Sequence, residues 1–129
     1  MVVAHVDGDT IDVSLGDRVE RIRLIGIDTP EAARGDRPEE CVASEATERL
    51  AAIAPVGTAL RRERDVVPRD DYGRLLAYAY LADGTMANLA LVEAGVARPM
   101  TIEPNDTHAS AFVEGAHRAQ RPGRGLWSA

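Results

Sequence analysis

Hydrophobic and polar residues alternate along the first part of the chain in a way that is typical of β-strands. An apolar stretch over residues 1–6 stops at Asp7-Gly8-Asp9, and residues 11–15 then alternate between apolar and polar side chains. A period of two places the apolar side chains on one face of a strand. The pattern therefore predicts two strands joined by a tight turn at Asp7-Gly8-Asp9.

The same alternation continues over residues 18–27 and predicts a third strand. Arg23 falls on a face of this strand that also carries Ile25 and Ile27, so we expect its guanidinium to lie over apolar surface. Asp28-Thr29-Pro30 ends the strand, because proline interrupts pairing and restricts the residue before it. A charged loop follows.

The remaining chain mixes helical and extended patterns. Helices are expected over residues 44–54, with Ser44 as the N-terminal cap, and over residues 86–94 and 108–121. Shorter extended patterns predict strands over residues 59–67 and 75–81. About five strands and three helices that do not alternate regularly favour a small closed or partly closed barrel with appended helices.

Composition limits the chain to one globular unit. It has 129 residues, of which 45% are hydrophobic, so we expect a single domain over residues 1–129. The net charge is −6, and every basic residue apart from histidine is arginine. An acidic chain is a poor non-specific binder of nucleic acid. Any phosphate that the protein handles must therefore meet a local cluster of arginines.

Cysteine content and hydropathy exclude two further classes of protein. Cys41 is the only cysteine, which rules out an intrachain disulfide and a small disulfide-framework protein. No apolar stretch approaches the roughly 20 residues of a membrane span, and the first residues lack the features of a signal peptide. We expect no membrane association, and the compartment remains open.

Two acidic segments indicate a metal site. Asp7-Gly8-Asp9-Thr10 alone is typical of a hairpin turn, but Asp28 and Glu31 add two carboxylates where a strand leaves the sheet. If Asp9 and Asp28 lie on adjacent strands, their carboxylates converge, and a divalent cation between them relieves the repulsion. Oxygen ligands without His or Cys favour Ca²⁺ or a similar ion over zinc.

Arginines near this acidic site indicate phosphate chemistry. Arg23 lies on the strand that leads to Asp28, and Arg74 follows Asp70-Asp71-Tyr72-Gly73 just before a predicted strand. Planar guanidinium groups match the charged oxygens of a phosphate in its transition state. The combination predicts hydrolysis of a phosphodiester.

From end to end, the chain resembles the staphylococcal nuclease (thermonuclease) family. The motifs that carry the resemblance are Val6-Asp7-Gly8-Asp9-Thr10, Arg23-Leu24-Ile25-Gly26-Ile27-Asp28-Thr29-Pro30-Glu31, Glu40-Cys41 with Glu45-Ala46, Asp71-Tyr72-Gly73-Arg74-Leu75-Leu76-Ala77-Tyr78, Asn88 with Leu91-Val92, Gly95-Val96-Ala97-Arg98 and Gly125-Leu126-Trp127. The resemblance implies a mainly β fold, a five-stranded OB-fold (oligonucleotide-binding) barrel with three α-helices. It also implies a Ca²⁺-dependent nuclease that acts on DNA and RNA and leaves 3′-phosphates.

The resemblance also implies a metal site at specific residues. Asp9 and Asp28 would bind Ca²⁺ through their side chains and Thr29 through its backbone carbonyl. Asp7 would support these ligands without binding the ion itself. The family further implies a secreted monomer.

The catalytic roles implied by the resemblance fall on four other residues. Glu31 would orient or deprotonate the attacking water, and the sequence leaves both roles open. Arg23 and Arg74 would bind the phosphate, and Tyr72 would contact the nucleotide.

Some positions depart from the family pattern. The residue beside Tyr72 is Asp71, where better-known members carry lysine, and residues 99–103 contain no tyrosine. Weaker substrate capture is expected, and the preference between DNA and RNA and between internal and terminal cutting stays open. The alternative function is a weak or inactive OB-fold module that binds nucleic acid. A purely structural Ca²⁺ binder would not need the paired arginines.

Overall fold

A computed structural model describes residues 1–30 and 38–120, with residues 38–44 described as backbone only. Its elements, in chain order, are β1 (Val2–Asp7), β2 (Thr10–Leu15), β3 (Arg18–Leu24), β4 (Gly26–Asp28), α1 (Pro38–Ile53), β5 (Arg61–Glu63), β6 (Leu75–Tyr80), α2 (Ala87–Glu93), β7 (Arg98–Met100) and α3 (Ala109–Gln120). The Cys41 side chain and the closing Gly125-Leu126-Trp127 motif lie outside the described residues. The mainly β fold with three helices is confirmed.

The sheet is open rather than closed. Its strand order is β1-β2-β3-β6-β5, with β3 and β6 parallel and the other pairs antiparallel. Instead of a β1–β5 ladder, the described residues show Val2 bonded to the segment just before β5, through the Thr58 carbonyl at 2.9 Å and the Gly57 amide at 2.8 Å. The expected five strands are therefore present as one sheet, but barrel closure is not shown.

The prediction of one strand over residues 18–27 is wrong, because the chain breaks at Ile25 into β3 and β4. Gly26 has a φ of +80°, a left-handed conformation that side chains other than glycine rarely adopt. The break turns β4 away from the main sheet and into a two-stranded ladder with β7, in which Asp28 lies opposite Arg98. The end of β4, with Asp28, thereby reaches the edge of a cleft.

A buried asparagine supports this break from the helical side. Asn88, at the start of α2, donates to the Ile25 carbonyl at 2.9 Å and to the Ala77 carbonyl at 3.2 Å. Its own Oδ1 accepts the Ala79 amide at 3.0 Å. The backbone groups that the broken strand leaves unpaired are thus satisfied inside the core.

Other boundaries also differ from the predictions. Helix α1 begins at Pro38, so Ser44 lies within the helix and does not cap it. Strand β5 is shorter than expected because the chain after it leaves the sheet, where Asn105 accepts the Val67 amide at 2.8 Å and donates to the Val67 carbonyl at 3.0 Å. The sequence did not predict β7, because Arg98–Met100 contains a proline and shows no alternation.

The core draws on the sheet and on all three helices. Its largest fully buried apolar side chains include Ile11, Ile22, Leu24, Ile27, Leu50, Tyr78, Leu91 and Phe112. Ile22 and Leu24, two residues apart in β3, both point into this core. Among the described residues, no helix has both the length and the apolar character needed to cross a membrane.

Candidate active site

A cleft of about 590 Å³ opens between the β1–β2 turn, β4 and the loops that precede β6 and follow β7. The residues that the sequence singled out and that line this cleft are Asp7, Asp9, Arg23, Asp28, Thr29, Tyr72 and Arg74. Glu31, the remaining predicted site residue, lies outside the described residues. Segments far apart in sequence therefore meet around one cavity.

Asp9 occupies the turn between β1 and β2 and is buried. Its Oδ1 accepts the Thr10 hydroxyl at 3.0 Å, its Oδ2 accepts the Thr29 amide at 3.3 Å, and its own amide donates to Asp7 Oδ1 at 3.1 Å. A methyl group added at Gly8 would lie only 2.9 Å from Thr29 Oγ1. The turn therefore packs closely on Thr29 and holds the Asp9 carboxylate at the cleft.

Arg23 joins the two predicted carboxylate ligands. Its Nη2 lies 3.3 Å from Asp9 Oδ2 and 3.7 Å from Asp28 Oδ1. The same guanidinium donates to the Ile27 carbonyl at 2.9 Å and, through Nη1, to the Leu24 carbonyl. Its side chain is only 12% exposed. Arg23 thus lies against the chain, as its strand face predicted, and spans the β3–β4 break.

The two carboxylates converge for a different reason from the one the sequence suggested. They do not lie on adjacent strands, because Asp9 precedes β2 whereas Asp28 ends β4, and β4 pairs with β7. The break at Ile25 brings Asp28 to the same guanidinium nitrogen as Asp9. Asp28 is the more accessible of the pair, with its side chain 55% exposed.

Burial makes the Asp9 carboxyl an unusually weak acid. Loss of solvent raises the pKa of Asp9 to about 6, although Arg23 acts in the opposite direction, and the neighbouring Asp7 raises it further. An additional positive charge stabilises the ionised form of a buried carboxylate of this kind. The Asp9 environment therefore favours a bound cation.

The donor set fits a hard cation such as Ca²⁺. Ca²⁺ takes carboxylate, carbonyl and water oxygens, and Asp9, Asp28 and the Thr29 backbone are the matching groups here. Among the side chains that the structure describes, in residues 1–30 and 45–120, no three from His, Cys, Asp or Glu converge closely enough to hold an ion. Asp9 and Asp28 are the two carboxylates that the described residues bring together at Arg23.

Asp70 organises the opposite wall of the cleft, a role that the sequence analysis missed. Its Oδ1 accepts the Tyr72 amide at 3.0 Å and the Arg74 amide at 2.9 Å, while its Oδ2 accepts Arg74 Nε at 2.6 Å. Burial acts to raise the pKa of Asp70, but the bonds from Arg74 and Tyr72 hold it below its usual range. The only sequence signal was an Asp at the start of a turn, which commonly bonds the amides that follow it.

Tyr72 and Arg74 form a pair on this wall. The Tyr72 side chain projects into solvent, with the residue 86% exposed. The Arg74 guanidinium carbon lies 5.8 Å from the centre of the Tyr72 ring, within the range of a cation–π contact. Asp70 holds Arg74 through Nε, and among the described residues the two terminal nitrogens have no hydrogen-bond partner, while the side chain lines the cleft.

Arg69 is a second lining residue that the sequence analysis did not identify. It donates to the Gly73 carbonyl at 2.7 Å and to both carboxylate oxygens of Glu20 at 3.2 Å. Glu20 is 49 residues away along the chain, so no local pattern could have indicated this pairing. Arg69 therefore fastens the Tyr72–Arg74 loop to β3.

The charge of the cleft is negative overall among the described residues. Six carboxylates line it, from Asp7, Asp9, Asp28, Asp70, Asp71 and Glu103. Only three guanidiniums oppose them, from Arg23, Arg69 and Arg74. Apolar side chains of Met100 and Ile102, both exposed, take the positions where the sequence showed no tyrosine. A polyanion would enter such a cleft more easily together with a cation.

Comparison with known proteins identifies relatives of this chain. A family described as staphylococcal nuclease homologue matches residues 21–129. The thermonuclease of Staphylococcus intermedius is 34% identical over 127 residues, which cover 98% of this chain and 74% of that protein. The thermonuclease of Staphylococcus hyicus is 32% identical over 127 residues, with the same coverage.

A Bacillus protein extends the similarity beyond staphylococci. The SPbeta prophage-derived endonuclease YokF of Bacillus subtilis (strain 168) is 36% identical over 128 residues. The matched region covers 95% of this chain but 42% of that longer protein. The similarity to these relatives therefore spans nearly the whole chain.

Proposed function

Because the chain belongs to the staphylococcal nuclease homologue family, we propose that it is a Ca²⁺-dependent nuclease that hydrolyses DNA and RNA to products with 3′-phosphates. The observation that carries the proposal is the shared cleft, in which the carboxylates of Asp9 and Asp28 lie together with the guanidiniums of Arg23 and Arg74. Relatives named thermonuclease and endonuclease support the same reaction class.

Asp9 and Asp28 would hold the Ca²⁺ through their side chains and Thr29 through its backbone carbonyl. A bound Ca²⁺ would polarise a phosphate oxygen and offset the charge that builds up in the transition state. Asp7 supports Asp9 from behind by accepting its amide. The raised pKa of the buried Asp9 supports this assignment, because a bound cation would stabilise the ionised carboxylate where solvent cannot reach it.

The arginines would bind the phosphate from two sides. Asp70 fixes Arg74 through Nε. The terminal nitrogens of Arg74 are therefore preorganised to donate to the phosphate oxygens. Arg23 lies on the carboxylate side, where it would exchange part of its contact with Asp9 for the phosphate. Tyr72 would contact the nucleotide through its exposed ring.

Hydrolysis would proceed by attack of water on phosphorus, in line with the bond to the 5′ oxygen. The new bond joins the water oxygen to phosphorus, and the bond to the 5′ oxygen breaks. Glu31 would orient the water or accept its proton, and the departing 5′ oxygen takes a proton from solvent. The products are a 3′-phosphate and a 5′-hydroxyl.

The product ends and the cation requirement test the proposed function. Single-stranded DNA and RNA are incubated with the protein in Ca²⁺, in Mg²⁺ and in chelator, and the ends of the products are identified. We expect cleavage in Ca²⁺ and none in chelator, with phosphate on the 3′ ends. Binding without cleavage in Ca²⁺ would instead identify the OB-fold binding module, and cleavage in chelator would exclude the role of the metal.

The metal assignment predicts a loss of Ca²⁺ affinity in Asp9→Asn. The change removes one charged ligand, so we expect the dissociation constant to rise at least about tenfold, since groups that merely support ligands are already worth about 10–100-fold. Titration calorimetry measures the affinity, and Asp17→Asn, in an exposed turn away from the cleft, is the control.

Denaturant unfolding of the metal-free variant distinguishes a lost Ca²⁺ ligand from misfolding. Asn has the shape of Asp but leaves Arg23 with Asp28 as its remaining acidic partner, so the metal-free Asp9→Asn protein should unfold at a lower denaturant concentration than the unaltered protein, yet in one cooperative transition that shows it is folded. Unchanged Ca²⁺ affinity in the Asp9→Asn variant would contradict the assignment of Asp9 as a ligand.

A further inference from the structure

We propose that a second groove beside the cleft binds a phosphate of the nucleic-acid strand next to the scissile one, and that Arg21 is the residue that binds it. This inference rests on the proposed nuclease function, because it concerns the same substrate. It adds a contact outside the catalytic cleft.

The groove lies between the Tyr72–Arg74 loop and Arg21 of β3. It has a volume of about 500 Å³ and is lined by Arg21, Tyr72, Gly73 and Arg74. Tyr72 and Arg74 also line the cleft, so the two cavities share one wall. A strand whose phosphate contacts Arg74 and which continues past the Tyr72 ring would therefore enter the groove and meet Arg21.

Arg21 is held in place and remains accessible. It lies on the outer face of β3 with its side chain 51% exposed. Its Nε donates to Asp12 Oδ1 at 2.9 Å and its Nη2 to Asp12 Oδ2 at 3.2 Å. These bonds orient one edge of the guanidinium, and within the described part of the chain Nη1 has no hydrogen-bond partner. A further acceptor can therefore bind at Nη1 without displacing Asp12.

The ion pair with Asp12 does not compete strongly with a phosphate. Solvent screens this ion pair, because the Arg21 side chain is 51% exposed. A guanidinium, by contrast, makes short charge-assisted bonds to phosphate oxygens. Asp12 therefore acts on Arg21 mainly by orienting it.

Charge distribution favours phosphate as the ligand of the groove. Among the described residues, carboxylates outnumber guanidiniums in the cleft, whereas two arginines and no carboxylate line the groove, with Asp12 and Asp70 each bonded to one of these arginines. The chain has no lysine and a net charge of −6, so contacts to a polyanion must come from specific arginines. Arg21 is the arginine that adjoins the cleft on this side.

Kinetics on substrates of two lengths test the groove with Arg21→Gln. The substrates are a single-stranded DNA oligonucleotide and a dinucleotide with one phosphodiester, which cannot reach beyond the cleft. We expect KM for the oligonucleotide to rise several-fold with kcat unchanged, and the kinetics of the dinucleotide to stay the same. Arg118→Gln is a matched control, because Arg118 is 50% exposed and pairs with one surface carboxylate, that of Glu93.

Binding without cleavage provides a second readout. Affinity for a labelled oligonucleotide is measured in chelator at several salt concentrations by fluorescence anisotropy. The loss of one phosphate contact should reduce the slope of log affinity against log salt by about 0.7 in Arg21→Gln. Arg21→Lys should keep that slope because it keeps the charge, and Arg118→Gln should keep it because it leaves the groove intact.

The outcomes separate this inference from the proposed function. If Arg21→Gln matches Arg118→Gln in both KM and salt slope, or if the dinucleotide is affected as much as the oligonucleotide, the groove proposal is wrong. If the unaltered protein cleaves neither substrate, the nuclease proposal is wrong, and the salt slope still decides whether Arg21 contacts phosphate.

Discussion

Replacing Arg74 with alanine should lower kcat about 10²–10³-fold, the usual cost of removing one preorganised donor to a developing charge, about 2.7–4 kcal/mol. Arg74 is suited to this role because Asp70 fixes its Nε at 2.6 Å, which leaves the terminal nitrogens of this cleft-lining residue to bind another group. The loop should survive the change, since Asp70 still accepts the amides of Tyr72 and residue 74. Single-turnover kinetics in Ca²⁺ measure the effect on the chemical step.

Two comparisons make this prediction specific. Arg74→Lys keeps the charge but loses the planar group, so its kcat should remain well below that of the unaltered protein. Arg118→Ala removes an exposed arginine elsewhere and should leave kcat unchanged. Calcium affinity and denaturant stability should be near normal in Arg74→Ala. Near-full Ca²⁺-dependent activity in this variant would refute the catalytic role of Arg74.

The same experiment at Arg23 would not isolate a catalytic effect. Its guanidinium bonds to the carbonyls of Leu24 and Ile27 and lies against the buried Asp9 carboxylate. Alanine at this position would leave that carboxylate without its counterion, which is strongly destabilising. Lost activity in an Arg23 variant would therefore combine a structural and a catalytic effect.

Local periodicity predicted much of the fold around the site. The alternation identified the first two strands and their turn, and β1 does end at Asp7 while β2 begins at Thr10. It also assigned Arg23 to a face that leans over apolar surface, and the guanidinium is indeed largely buried. Because side chains alternate strictly along a strand, sequence alone determines the face of each residue. The family recognised from the ordered motifs is likewise confirmed.

Features that depend on distant contacts could not be predicted in this way. Residues 18–27 carry a continuous strand pattern, yet the break at Ile25 depends on how Gly26 meets α3. The ion pair between Arg69 and Glu20 joins an exposed arginine to a half-buried glutamate 49 residues away, which no sequence period relates. The convergence of Asp9 and Asp28 was expected on adjacent strands, whereas it results from this break. Periodicity specifies the orientation of residues within a strand but not where the strand turns away.

The break itself predicts the largest effect on stability, that of Gly26→Ala. A methyl group on this residue would overlap Cε2 of Phe112 and would lie 2.7 Å from its Cδ2. Gly26 also has a φ of +80°, where a side chain costs about 1–2 kcal/mol, and overpacking of a core adds about 1–3 kcal/mol. We expect the free energy of unfolding to fall by about 2–5 kcal/mol, as measured by denaturant titration.

Gly84→Ala separates the two causes of this loss. Gly84 has a φ of +91°, but a methyl group there would meet no atom within 4 Å, so only the conformational cost of about 1–2 kcal/mol applies. The difference between the two variants therefore measures the contact of α3 with the strand break. Equal losses would mean that Phe112 moves aside freely. The packing of α3 would then not hold β4, and with it Asp28, at the cleft.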